Sequence, residues 1–233
     1  MQQETEKNRP FAGQIQVKDT LSIDINSLPE EAQQYTSLHM HERQLFFEAV
    51  EGGEFVGFAK IEISEKEGVR PEFVYRFIDP NHRRRGVGQK LRDKVYVWLE
   101  EQGYESVGSG INNVGTITDL GEIEPNLSAS GDGGWKSYFS MTRAKEGSVK
   151  HTIESVTIDP KGEIDFSFVT YFNPDEVSFL PSTPEGLSKA IEEVLPEGET
   201  LISFKEKTKD MSVVVAENGR YYSILEWIRL HRN

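Results

Sequence analysis

The chain has 233 residues, 36% of them hydrophobic, enough for one large or two small domains with cores of their own. It contains no cysteine, which excludes disulfides, thiolate nucleophiles and cysteine-ligated zinc. A formal net charge of -13 argues against non-specific adhesion to nucleic acid or to an anionic membrane. No apolar run is long enough to span a bilayer, and the opening Met-Gln-Gln-Glu-Thr-Glu-Lys is too polar for a signal peptide, so a cytoplasmic location is expected.

Residues 1–13 read as a polar, flexible tail. Alternating apolar positions from Ile15 to Ile25 predict one or two strands, and Ser27-Leu-Pro-Glu30 predicts a capped helix over about Leu28 to Ser37. His39 and His41 share one short loop without further ligands, so no metal site is expected there. Arg43–Val50 and Glu54–Ile63 predict two strands joined through Glu51-Gly52-Gly53 as a hairpin. After a charged connection, Pro71 introduces a strand over Glu72–Ile78.

That strand turns at Asp79-Pro80 and runs through Arg83, Arg84 and Arg85 into Gly86-Val87-Gly88. An amphipathic helix follows, with Val87, Leu91, Val95, Trp98 and Leu99 on one face and Gly103 as its stop. A strand feeding a glycine turn and a helix N-terminus is a physical anion site. The first N–H groups of the helix lack partners, and its dipole favours negative charge. The spacing is neither Gly-x-Gly-x-x-Gly nor Gly-x-x-x-x-Gly-Lys-Ser/Thr, which disfavours a dinucleotide site and excludes a nucleoside-triphosphate loop.

Arg83-Arg84-Arg85-Gly86-Val87-Gly88 resembles instead the Gln/Arg-x-x-Gly-x-Gly/Ala signature of the GNAT acyltransferase superfamily, and the preceding Ile78-Asp79-Pro80 resembles its strand end and turn. The resemblance covers residues from about 14 to 145. It implies an α+β fold with a mixed, mostly antiparallel sheet, splayed central strands and flanking helices. It implies acetyl-CoA as co-substrate, no metal, and an amine acceptor, small molecule or protein. The backbone from Arg84 to Gln89, with Arg83 to Arg85 as a clamp, would hold the pyrophosphate. The backbone of Phe77 and Ile78 would pair with the pantetheine arm, and Asn112 would lie near it, although Asn112-Asn113 reads equally as a turn. Glu72, at the start of the signature strand, is the candidate base. Tyr138 is the candidate acid, though the residues around it depart from the family pattern.

Beyond the signature helix, Tyr104–Ile111 and Val114–Ile123 predict strands, residues 124–134 a small-residue loop, and Trp135–Ala144 a short helix. From residue 146 a smaller, β-rich α+β domain of unknown role is expected. It would comprise strands at Val149–Ile158 and Glu163–Phe172 around an Asp159–Gly162 turn, a helix capped at Ser182–Glu185, and strands at Leu201–Phe204 and Ser212–Ala216. After the Asn218-Gly219 turn, Tyr221 to Leu230 suits a returning strand or a helix, with the turn chemistry favouring the strand. No Gly-x-Ser-x-Gly elbow or His-Glu-x-x-His pair is present, so hydrolase and metalloprotease readings have no footing. The alternative to an enzyme is a binding module of the same fold, acting through protein contacts of its acidic C-terminal part. Oligomeric state and acceptor identity are not encoded in any motif.

Overall fold

The structure is a computed structural model that describes residues 16–20, 28, 30–33, 42–66, 68–127, 134–142, 149–209, 211–216 and 219–231. The N-terminal tail, His39, His41 and the centre of the 124–134 loop lie outside the described residues. The N-terminal half contributes β1 (Gln16–Thr20), a short α1 (Glu30–Gln33), the hairpin β2 (Glu42–Glu51) and β3 (Glu54–Ser64), and β4 (Glu72–Ile78). Gly52 and Gly53 both have positive φ at the hairpin tip, which explains why glycine occupies both positions. Then come a 3-10 turn at Pro80–His82, α2 (Val87–Glu101), β5 (Ser106–Ile117), β6 (Ile123–Pro125) and α3 (Gly134–Thr142).

The rest of the chain adds β7 (Val149–Ile158), β8 (Glu163–Phe172), α4 (Pro184–Glu192), α5 (Leu201–Lys207), β9 (Val213–Ala216), β10 (Tyr221–Ser223) and α6 (Ile224–His231). All the strands belong to one sheet, in the order β1-β2-β3-β4-β5-β8-β7-β9-β10, with β6 paired to β5. Among the described residues, every pairing between these strands is antiparallel except that of β4 with β5. Strands after residue 146 therefore continue the first sheet: β8 pairs β5 from Ser106↔Tyr171 to Thr116↔Glu163.

Buried side chains sort into two main cores. One gathers Phe47, Ile61, Phe73, Leu91, Val95 and Val107 beneath α2; the other gathers Ile117, Tyr138, Ile158, Phe166, Ile191 and Phe204 beneath α3, α4 and α5. Val87, Leu91, Val95 and Leu99 are at most 1% exposed, each contributing on the order of 2 kcal/mol of burial, so the apolar stripe read in the sequence does anchor α2.

Three expectations need correction. Leu201–Phe204 is the first turn of α5, because Thr200 and Ser203 form a reciprocal capping box and Leu201 and Phe204 are buried three residues apart. Tyr221 to Leu230 holds only the three-residue β10 before α6 begins. The Ser223 hydroxyl and backbone N–H both donate to Glu226, a cap that outweighs the turn signal. The run Val114–Ile123 is broken at Thr118, whose Oγ1 accepts from the N–H groups of Leu120 and Glu122, so β6 folds back on the end of β5.

Candidate functional site

β4 and β5 are parallel neighbours that stay paired only at Glu72↔Gly108 and Phe73↔Ser109. Beyond that point the strands part, as the resemblance implied. β4 also carries an extra residue there: Ile61 faces Phe73 and Lys60 faces Tyr75, leaving Val74 as a bulge. The bulge turns Arg76 toward α2, where its Nη1 donates to the Gly88 carbonyl at 3.3 Å and approaches Met141 Sδ at 3.6 Å. A cleft opens between the parted strands, lined by Phe73, Arg76, Ser109, Ile111, Ser137 and Met141.

At the far end of β4 the chain enters the signature turn. Asp79 accepts from the Asn81 N–H at 2.9 Å and pairs with the His82 ring at 3.0 Å, which together hold its carboxyl below its ordinary range. Arg84 has φ 63 and Gly86 φ 80, so the turn is a left-handed corner at two positions, and only glycine takes the second without strain. Gly86 is the N-cap of α2 and supplies no side-chain cap. The first intrahelical bond of the helix is Lys90 N to Gly86 O, at 3.0 Å, so the N–H groups of Val87, Gly88 and Gln89 precede the helical ladder. A Cβ on Gly86 would meet nothing within 4 Å, whereas one on Gly88 would press on the Arg76 guanidinium at 3.3–3.4 Å. The corner is open on its outer side and crowded on its inner side.

The arginine triplet divides. Arg83 Nε donates to the Ile78 carbonyl at 3.0 Å, and Arg85 pairs with Glu51 at 2.7 Å on the neighbouring hairpin, so both brace the turn. Arg84 is exposed on the corner. Phe77 is buried, its ring stacked on Phe55 and Phe58, and Ile78 closes the β4 pairing against Gly57. Asn112 is exposed in a bulge of β5, where the register slips between Ile111 and Gly115 and the Asn113 N–H, at φ 49, donates to Asp165 at 2.8 Å.

Glu72 lies at the paired end of the strands. Its carboxylate covers Gly108, where a Cβ would come within 2.2 Å of it, and it pairs with Arg70 Nε at 3.3 Å. Arg70 in turn bridges to Glu154 on β7. On the same face of the sheet, Lys60 and Glu62 form a nearly buried ion pair at 2.9 Å, and Gln44 Nε2 donates to Glu62 at 3.1 Å. Tyr138 is fully buried. Its hydroxyl donates to the Pro181 carbonyl at 2.7 Å, and burial pushes its pKa up. These are the marks of a core tyrosine pinning α3 to the segment before α4, which leaves its proton committed elsewhere than the cleft.

Sequence reasoning passed over Arg76, Ser109 and the Lys60–Glu62 pair. Arg76 and Ser109 had a signal: a polar residue on an alternating row whose neighbours at ±2 are apolar. In Phe58-Ala-Lys60-Ile-Glu62-Ile both faces of β3 are buried, so the two charges go inside together. Arg92 is a further case. It is fully buried in α2, its Nη1 reaching the Met141 carbonyl at 3.3 Å and its Nη2 Asp93 at 2.9 Å, so it ties α2 to α3. No group of His, Asp or Glu suited to a metal ion occurs among the described residues.

The donor set fits the diphosphate of CoA: uncapped N–H groups, a positive helix end, and a glycine that a side chain does not shield. Residues 15–117 match the model of the Acetyltransferase (GNAT) family. No curated protein is a significant match to the chain. Among solved structures, the ribosomal-protein-S18-alanine N-acetyltransferase from Escherichia coli is 13% identical, the match covering 70% of this chain and 97% of that one at a TM-score of 0.45. An IAA acetyltransferase from Bacillus cereus is 12% identical over 67% of this chain and 98% of that one, at 0.42. The paia N-acetyltransferase from Thermoplasma acidophilum, in complex with coenzyme A, is 14% identical over 55% and 61%, at 0.35. Residues 15–117, which hold the splayed strands and the signature turn, are thus similar to the Acetyltransferase (GNAT) family.

Proposed function

We propose that the protein is an N-acetyltransferase that moves an acetyl group from acetyl-CoA directly to an amine acceptor, small molecule or protein, without a metal. One observation carries the reading: α2 starts on a positive-φ glycine with no side-chain cap, at the mouth of the parallel pair β4 and β5. Bound acetyl-CoA supplies the activated acyl group. The chain supplies the rest. The N–H groups of Val87, Gly88 and Gln89 bind the pyrophosphate, with Arg84 adding charge at the corner. Backbone of β4 past the Val74 bulge, no longer paired to β5, is available to the pantetheine arm and to the thioester carbonyl. Glu72, partly exposed beside the paired end, accepts a proton from the attacking amine, directly or through water. The acidic surface draws cationic acceptors toward the site.

The test is a calorimetric titration with acetyl-CoA, with Gly86→Glu as control. Micromolar binding that the control abolishes supports the reading. Absence of binding at millimolar acetyl-CoA overturns it.

A further inference from the structure

The inward row of β5 reads Val107, Ser109, Ile111. Val107 and Ile111 are core residues, and Ser109 is just as buried at 3% exposure, yet its hydroxyl has no hydrogen-bond partner among the described residues. Burying an unpaired hydroxyl costs stability, and a valine or alanine would pack in this row without that cost. Ser109 also stands where β4 and β5 part, since Phe73↔Ser109 is their last pair, and it lines the cleft between them. Opposite it are Arg76 and Met141, with Ser137 on α3, and the free space they enclose is about 40 Å³. Tyr138, the candidate acid, has its hydroxyl on the Pro181 carbonyl.

We infer that the Ser109 hydroxyl is the hydrogen-bond donor to the sulfur of the bound thioester, and so a further catalytic residue; this rests on the acetyltransferase reading above. During transfer the amine nitrogen bonds to the carbonyl carbon as the carbon–sulfur bond breaks, and the electron pair of that bond leaves on sulfur. Ser109 donates to the sulfur as its charge builds, and the nearby Arg76 guanidinium favours the same charge. The proton of the amine passes to Glu72 and on to solvent, and the thiolate takes its proton from solvent. The products are an amide and free CoA.

The experiment compares wild type, Ser109→Ala and Ser109→Thr by calorimetry with two probes, CoA and desulfo-CoA, at pH 9, where a thiol of ordinary pKa is substantially ionised. Melting temperature and turnover are measured on the same proteins. Ser109→Ala is expected to weaken CoA about tenfold, the weight of one hydrogen bond to a charged group. Affinity for desulfo-CoA should stay unchanged, and Ser109→Thr should recover most of the loss. Turnover of Ser109→Ala should fall on the order of a hundredfold, while its melting temperature holds or rises because an orphaned hydroxyl has been removed. Equal loss for both probes, or unchanged CoA affinity and turnover, overturns the role of Ser109 and leaves the acetyltransferase reading intact. A wild-type protein that binds neither probe overturns both.

Discussion

α5 and α2 begin in opposite ways. At α5, Thr200 accepts from the Ser203 N–H at 3.2 Å and the Ser203 hydroxyl accepts from the Thr200 N–H at 2.9 Å, so the helix satisfies its own first turn. At α2, Gly86 offers no side chain at all, and the corner around it is open. α4 follows the pattern of α5, with Thr183 Oγ1 accepting from the Gly186 N–H at 3.1 Å. Capping is worth about 1 kcal/mol per helix, and this chain supplies threonine caps for α4 and α5 while leaving the fifteen-residue α2 without one. The bare start of α2, in a chain that caps α4 and α5, is what supports the proposal that it binds the pyrophosphate.

The sharpest way to break that contrast is Gly86→Glu. It places a carboxylate over the bare N–H groups and forces a side chain into a left-handed corner, so acetyl-CoA affinity should drop at least a hundredfold in calorimetry while circular dichroism stays native. Next in size is Glu72→Gln, at the other end of β4. Turnover should fall tenfold or more with acetyl-CoA affinity unchanged, since Glu72 sits with Arg70 and Gly108, a strand's length from α2. Thr200→Ala tests the capped side of the comparison. It should cost about 1 kcal/mol in urea denaturation and leave acetyl-CoA binding untouched. Tyr138→Phe should behave alike, losing about 1 kcal/mol with its Pro181 bond and keeping turnover within twofold.

The smallest effect concerns Asp79, which shapes the turn before the bare helix. The His82 ring, first, and the Asn81 N–H hold its carboxyl below its ordinary value of 3.8. A depressed folded-state value means the stabilisation is present above that ordinary value and is lost as pH falls through the lower one. Asp79→Asn should therefore lower the melting temperature slightly at pH 6, and the difference should vanish near pH 2.

Much of the frame was legible before any coordinates. β4, β7 and β8 fall where alternation and turn residues put them, because their hydrophobic period and their glycine or proline boundaries agree. The signature turn was legible for the same reason: Gly86 takes a left-handed backbone and Gly88 makes room for the Arg76 side chain, and needs of that kind are written in residue type. What stayed hidden depended on long-range pairing. Nothing in Val149–Phe172 announces that β8 will lie beside β5 and extend the first sheet. The caps at Thr200 and Ser223 were present as patterns, but short apolar runs after them read equally well as strands. Within the site, Arg76 and Ser109 became visible only when the Val74 bulge and the parting of two strands brought them to one cleft. Tyr138 went the other way: its position matched a family role, and its hydroxyl turned out to serve a carbonyl across the core.

The central claim is that the bare start of α2 is where CoA is held, and amide chemical shifts test it residue by residue. In a titration of ¹⁵N-labelled protein with CoA, the account predicts that the Val87, Gly88 and Gln89 amides move most while those of Ser203 and Gly186, already capped by threonine, stay still. Saturable binding of CoA that leaves the three α2 amides unmoved would contradict it.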